Sequence, residues 1–258
     1  MDISYHKAFS NQLGRDMEYK RYGFAGRPFV IFPTSQGRFY QFEDSGGVGA
    51  LAEFVDTGRI QIFALDGIDS ESFFNKSADH AGRIARHEAY FRYIREEALP
   101  EITRAAEASN GLRKMKPIFG GCSMGAFHSS NFVFRHPELA SGLIALSGVY
   151  SAKDFFGKDR SGDIYFNSPL DYLPGLEDPK ILKRLRDLRL AFCCGQGAWE
   201  ERMLEETRQL EQILGEKRIP AWIDYWGGDV AHDWPWWHKQ LPYFMSRWLD
   251  EDLKDRKD

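Results

Sequence analysis

An α/β fold, a mostly parallel sheet with helices on both faces, is what the sequence predicts, and three observations predict it. Six short, continuously apolar runs recur along the chain, each with the length and composition of a strand buried on both faces. Helical patterns separate them, so successive strands must cross over and run parallel. Near the middle, Gly121-Cys122-Ser123-Met124-Gly125 carries one strand abruptly into a helix.

The chain opens with two antiparallel strands, 3–9 and 17–22, on either side of a turn at Leu13-Gly14-Arg15. The apolar runs follow at 28–32, 60–65, 117–122, 142–146, 188–193 and 221–225. Helical patterns fill the intervals: 48–57, then 83–108 with Ile84, Phe91, Ile94 and Ala98 as its apolar stripe, then the segment after Ser123. Another runs over 199–214 with Met203, Leu210 and Ile213 facing inward, and 236–253 closes the chain. The rhythm breaks over 150–179, where Gly157, Gly162, Pro169, Pro174, Gly175 and Pro179 punctuate an irregular excursion across the carboxyl edge of the sheet. No repeat or low-complexity tract interrupts the pattern, so 1–258 reads as a single domain with a frayed, charged tail at 250–258.

Composition narrows the classes of function. With 34 Lys and Arg against 38 Asp and Glu, the formal charge of −4 offers nothing to nucleic acid or an anionic membrane, and no basic run departs from it. No apolar stretch is long enough to cross a bilayer. Met1-Asp2-Ile3-Ser4-Tyr5-His6 has neither the positive start nor the apolar centre of a secretory signal. Three cysteines, two of them adjacent (Cys193 and Cys194), suit reduced thiols in a cytoplasmic protein better than a disulfide framework. Walker loops, zinc-ligand spacings and dinucleotide glycine fingerprints are absent, so neither metal nor cofactor is expected.

The glycine-serine-glycine turn is where chemistry is expected. A serine on a strained strand-to-helix turn projects its hydroxyl clear of the sheet, and the flanking glycines let neighbouring backbone approach. A hydroxyl becomes a useful nucleophile only when a histidine takes its proton, and the histidine needs a carboxylate to orient it. In an open parallel sheet all three belong beyond the carboxyl ends of strands. Among His6, His80, His87, His128, His136, His232 and His238, only His232 follows a predicted strand in a loop, so it is the expected base. His87 is expected on a helix surface, His128 on the helix after the serine, and His238 a few residues into the last helix, facing outward or packed.

The carboxylate is Glu200, in the glycine turn after the fifth apolar run, with Glu201 and Asp229 as alternatives. Acidic residues in a first helical turn also occur simply through the helix dipole. For the oxyanion, the N–H of Met124 is one expected donor, and a backbone N–H at Thr34 or Ser35, in the loop after the first parallel strand, is the second. Cys122 could in principle supply a thiol, but the elbow turns it inward while exposing Ser123. Trp234, Trp236 and Trp237 read as an anchor for the last helix, with an aromatic floor for a sugar or acyl group as the other reading.

Serine, acid and histidine in that chain order give the sequence its likeness to an α/β-hydrolase, and more narrowly it resembles the esterase D-like family. The resemblance rests on 121–125, on the Glu97-to-Pro100 end of the preceding helix, on Ala145-Leu146-Ser147-Gly148, and on His232-Asp233-Trp234-Pro235-Trp236-Trp237. It covers roughly 28–249 and implies hydrolysis of a small or medium carboxylic ester through an acyl-serine, without metal or organic cofactor. The chain departs from the family at Ala198-Trp199-Glu200, where many members carry an aspartate earlier, and at 33–37, which lacks the histidine-glycine motif of many lipases. Acyl transfer by the same residues, or a non-catalytic binding protein on the same fold, are the alternative functions.

Overall fold

The computed structural model describes residues 1–111 and 114–254, and among them eight strands form one sheet in the order β1-β2-β4-β3-β5-β6-β7-β8. The strands are β1 (Ile3–Ser10), β2 (Arg15–Tyr22), β3 (Arg27–Phe32), β4 (Ile60–Leu65), β5 (Ile118–Cys122), β6 (Gly142–Leu146), β7 (Arg189–Cys194) and β8 (Trp222–Tyr225). β2 is antiparallel to both β1 and β4, whereas every pairing from β4 to β8 is parallel. The N-terminal hairpin is thus present, and its second strand pairs directly with the parallel sheet.

Alternation along each strand divides the core. Val30, Phe32, Phe63, Phe119, Leu143 and Phe192 point to one face. Phe29, Ile31, Ile62, Ile118, Ile144 and Ala191 point to the other, which is the two-residue period of a sheet covered on both sides. The first face is covered by α1 (His80–Tyr93), α2 (Leu99–Ser109), α3 (Met124–Arg135), α4 (Pro179–Arg186) and α5 (Glu201–Glu216). The second is covered by short helices between 41 and 56 and by α6 (Trp234–Lys254), whose Trp237, Leu241, Phe244, Met245 and Trp248 are buried there.

Strand order fixes where a site can form. The chain leaves β3 toward β4 on one side, returns across β3 to lay down β5, and then proceeds outward through β6 to β8. Loops after β3 and β5 therefore diverge, opening a crevice at their carboxyl ends. Residues 33–37 and Ser123 stand at that point.

The structure revises several local expectations. The pattern over 48–57 becomes two short helices, Gly47–Ala50 and Ala52–Asp56, broken at Leu51. The long pattern over 83–108 begins at His80 and passes through a π-helical turn, Ile94–Ala98, before α2. Pro100 is therefore not at a helix end but just past the widened turn: it has no N–H to give, and the extra residue in the ring relieves the clash with the preceding turn. α5 starts at Glu201 because Trp199 sits at φ 67°, outside helical space. Its inward face is Glu206, Thr207, Leu210 and Leu214, leaving Met203 and Ile213 only half-buried. α6 runs through Lys254, and 255–258 of the expected frayed tail lie outside the described residues.

The 150–179 excursion holds one-turn helices at Lys153–Phe156, Asp163–Phe166 and Pro169–Tyr172, too short to leave a periodic signal. It is bound tightly to α1, α3 and α5. Arg135 donates to both Glu88 oxygens at 2.6 and 3.0 Å, Asn167 donates to Glu88 at 2.6 Å, and Arg135 and Asn131 both donate to Asn167 Oδ1. Glu206, buried on α5, accepts from the backbone N–H groups of Tyr150 and Ser151. Below the excursion, Phe156 and Ile164 pack with Met124, Phe127 and Phe73.

This cover also corrects the placement of His87. Its ring is fully buried, against Phe73 at 4.7 Å and Phe91 at 4.3 Å, and makes no hydrogen bond. The face of α1 that sequence alone assigns to solvent is covered by residues around 73. Burial, then the nearby His128 and Arg135, push the His87 imidazole well below its ordinary value. Burial and Arg135 likewise hold His136 at about 4. Both histidines stay neutral when folded while the unfolded chain binds protons below about pH 6.5, so their stabilising effect is complete above that pH and is lost as pH falls toward 4. Urea denaturation at pH 7 and pH 5 is expected to show His136 costing about 2 kcal/mol at the lower pH, and His87→Leu should make the loss of stability between the two pH values smaller.

Candidate active site

Ser123 sits between β5 and α3 at φ 55° and ψ −121°, a backbone region that side chains rarely enter. Three features hold it there. Its N–H donates to Leu146 O at 2.9 Å. Gly121 lies so close to Gly125 that a Cβ would come within 2.2 Å of its backbone. Gly125 in turn lies against β3, where a Cβ would stand 2.5 Å from Phe32 O and 2.7 Å from Pro33 O. Cys122, next in line, points into the core, where burial pushes its thiol far up.

His232 arrives from the loop after β8. Its Nε2 is 2.9 Å from Ser123 Oγ. The loops after β7 and β8 are joined by Gly197 N–H to Val230 O at 2.9 Å and His232 N–H to Ala198 O at 3.0 Å. Gly195 and Gly197 make that approach possible, since a Cβ on either would fall 2.2 or 2.7 Å from Val230 O. The imidazole stands edge-on to Trp237, with ring centroids 5.0 Å apart.

Glu200 is the residue before α5, completely buried, with Oε2 3.4 Å from His232 Nδ1. Its carboxylate is satisfied chiefly by a residue with no role assigned from the sequence. Ser147, at the end of β6, donates its hydroxyl to Glu200 Oε1 and accepts from Trp237 Nε1 at 3.0 Å. Ser147 itself has φ 50°. The helix dipole of α5 adds favourable potential at Glu200. The structure thus brings Ser123, His232 and Glu200 together at the ends of β5, β8 and β7, while Glu201 and Asp229 are exposed and make no hydrogen bond to His232. Trp237 packs at this junction; Trp234 lies edge-on to Trp237 and tilted against Phe42, and Trp236 carries Lys239 above its ring.

The two candidates in the loop after β3 separate. Thr34 N–H donates to Gln41 Oε1 at 2.9 Å, and its hydroxyl accepts from the same side chain, so Thr34 is not a free backbone donor. Gln36 N–H donates to Asp69 Oδ2 at 3.0 Å. Ser35 N–H, between them, has no acceptor among the described residues, and Ser35 is an exposed residue. The Met124 N–H opens α3 and has no intrahelical acceptor. Sequence reasoning missed Ser147 and Asp69 because each acts across elements far apart in the chain, and Gln41 because no local pattern shows its side chain folding back seven residues onto Thr34. Only Ser147 had a local signal, its strand-end position before Gly148.

No family model and no curated protein sequence matches the chain. Solved structures do. A ferulic acid esterase superposes with a TM-score of 0.71 at 16% identity, over 96% of this chain and 97% of that one. An S-formylglutathione hydrolase from Agrobacterium tumefaciens gives 0.65 at 14%, over 98% and 93%. A Staphylococcus aureus fluorophosphonate-binding serine hydrolase gives 0.65 at 12%, over 96% and 98%. The chain has the α/β-hydrolase fold. No helix among the described residues is long and apolar enough to cross a membrane.

Ser147→Ala is expected to leave Glu200 Oε1 without its hydroxyl donor and the Trp237 indole without its acceptor. A loss of about 2 kcal/mol of stability should follow, measured by urea denaturation at pH 7. A loss below about 0.5 kcal/mol would mean that water replaces the hydroxyl at no cost.

Proposed function

We propose that this chain is a serine hydrolase that cleaves a small or medium carboxylic ester through an acyl-serine intermediate. The observation that carries the reading is the 2.9 Å contact between His232 Nε2 and the hydroxyl of Ser123, a half-buried serine at a sheet edge. Structural likeness to a ferulic acid esterase and to an S-formylglutathione hydrolase supports the choice of ester chemistry and of the esterase D-like family.

In this reading the neutral imidazole carries its proton on Nδ1, facing Glu200, and presents the Nε2 lone pair to Ser123. As Oγ attacks the substrate carbonyl carbon, its proton passes to Nε2 and the carbonyl π pair moves onto oxygen. Met124 N–H and Ser35 N–H receive that oxyanion, each such donor being worth about 3 kcal/mol in the transition state. Glu200 steadies the imidazolium, and its 3.4 Å separation from Nδ1 shortens as charge develops. The tetrahedral intermediate collapses, the C–O bond to the alcohol breaks, and His232 returns the proton to the departing oxygen. Water then gives its proton to the same nitrogen and attacks the acyl carbon; the bond to Ser123 Oγ breaks as the acid leaves, and His232 returns the proton to that oxygen. Three buried free thiols, Cys122, Cys193 and Cys194, suit a reducing compartment, and the enzyme is assigned to the cytoplasm on that ground.

Purified protein should hydrolyse p-nitrophenyl acetate and be labelled by a fluorophosphonate at Ser123. Ser123→Ala is expected to lose at least about a thousandfold in kcat while keeping its melting temperature, and His232→Ala a comparable factor. Glu200→Gln should cost less, because the orienting acid is the least costly of the three to lose. Unchanged turnover in Ser123→Ala would reject the assignment.

A further inference from the structure

Asp69 and His128 form a buried pair that the reaction scheme does not use. Asp69 lies in a 3-10 turn after β4 and is 5% exposed; His128 lies one turn into α3 and is 2% exposed. His128 Nε2 is 2.7 Å from Asp69 Oδ1. The other carboxylate oxygen accepts the backbone N–H of Gln36, a non-glycine residue held at φ 55° in the loop after β3.

We infer that Asp69 and His128 are positioning residues that hold the 33–37 loop so that Ser35 N–H faces the oxyanion. The inference rests on the reading of Ser123 as nucleophile. Its physical content is the spacing between two donors. Met124 N–H sits at the start of α3 and Ser35 N–H on the loop, and nothing covalent relates them. Two contacts do. Gly125 lies against Phe32 O and Pro33 O at the near end of the loop. At the far end, one carboxylate bonds the loop backbone through Oδ2 and α3 through Oδ1, so loop and helix share a single rigid bridge. With Thr34 N–H on Gln41 and Gln36 N–H on Asp69, the residue between them has the one N–H turned free. A carboxylate this buried carries a desolvation cost that a purely packed turn would avoid, and a left-handed glutamine needs its surroundings to hold it.

The pair's neighbour provides the control. His87 stacks on His128 at 5.1 Å and is as deeply buried, but makes no hydrogen bond. Steady-state kinetics on p-nitrophenyl acetate should compare Asp69→Leu, Asp69→Asn, His128→Leu, His128→Gln and His87→Leu with the wild type. Asp69→Leu and His128→Leu are expected to lower kcat about 10- to 100-fold with KM changed less than about twofold, since the lost interaction belongs to the transition state. Asp69→Asn and His128→Gln keep most of the activity, because each retains an acceptor for Gln36 N–H or a donor to Asp69. His87→Leu leaves kcat at the wild-type value.

Wild-type kcat in Asp69→Leu overturns the inference, as does an equal loss in Asp69→Asn, or an equal loss in His87→Leu, which would make the effect one of packing alone. If Asp69→Leu does not fold, the His128→Leu and His128→Gln pair decides by the same criteria. A wild-type protein that neither hydrolyses the ester nor labels at Ser123 overturns the reading of Ser123 itself, and this inference with it.

Discussion

A serine backbone held at φ 55° and ψ −121° costs roughly 1–3 kcal/mol, and much of the architecture around β5 serves to keep it there. No single bond does so. The glycines on either side of Ser123 allow α3 to press against both β5 and β3, at distances no side chain would permit. That compression sets the hydroxyl at the sheet edge, aims the first N–H of α3 outward, and draws the 33–37 loop against the helix. Remove the close approach and the serine, the helix start and the loop all lose their mutual placement.

The acid side of the site is built differently. Glu200 is a fully buried carboxylate without a permanent cation, surrounded by groups with only partial charge: a hydroxyl from β6, the start of α5, and an imidazole. Such a setting favours a charge that appears on the imidazole over one that is always present, since a fixed guanidinium nearby would compete for the same oxygens. Trp237 links this corner to the second face of the core. It fills space beside the imidazole and fixes the Ser147 hydroxyl, so the C-terminal helix contributes to the site through Trp237.

Much of this was legible before any coordinates. The apolar runs mark every parallel strand to within a residue or two, most sharply at β3, β5 and β6, which are buried on both faces, whereas β8 lies at the sheet edge with Trp222 exposed and Asp224 half-buried. Ser123, His232 and Glu200 each follow such a run, and strand ends are where open sheets expose their loops. What could not be read depends on side-chain contacts that no local pattern specifies, most of them between distant segments. Whether Thr34 or Ser35 keeps a free N–H turns on Gln41 and Asp69. The burial of His87 depends on a cover assembled from residues around 73, and the helical run over 83–108 passes Pro100 by way of a π-helical turn that has no sequence signature. One-turn helices in the excursion are shorter than the period by which helices are recognised.

The manner in which the excursion is fastened bears on how a substrate would be chosen. Its backbone is bonded to Glu206, and its Asn167 is locked into the Arg135–Glu88 ion pair, so lifting it would expose two ionised groups and strand several partners at once. A segment secured in this way is a wall and not a hinged flap. Under the proposed ester hydrolysis, discrimination among substrates would fall to the standing contour of the crevice, and a change of preference would be sought by recarving side chains instead of loosening a joint.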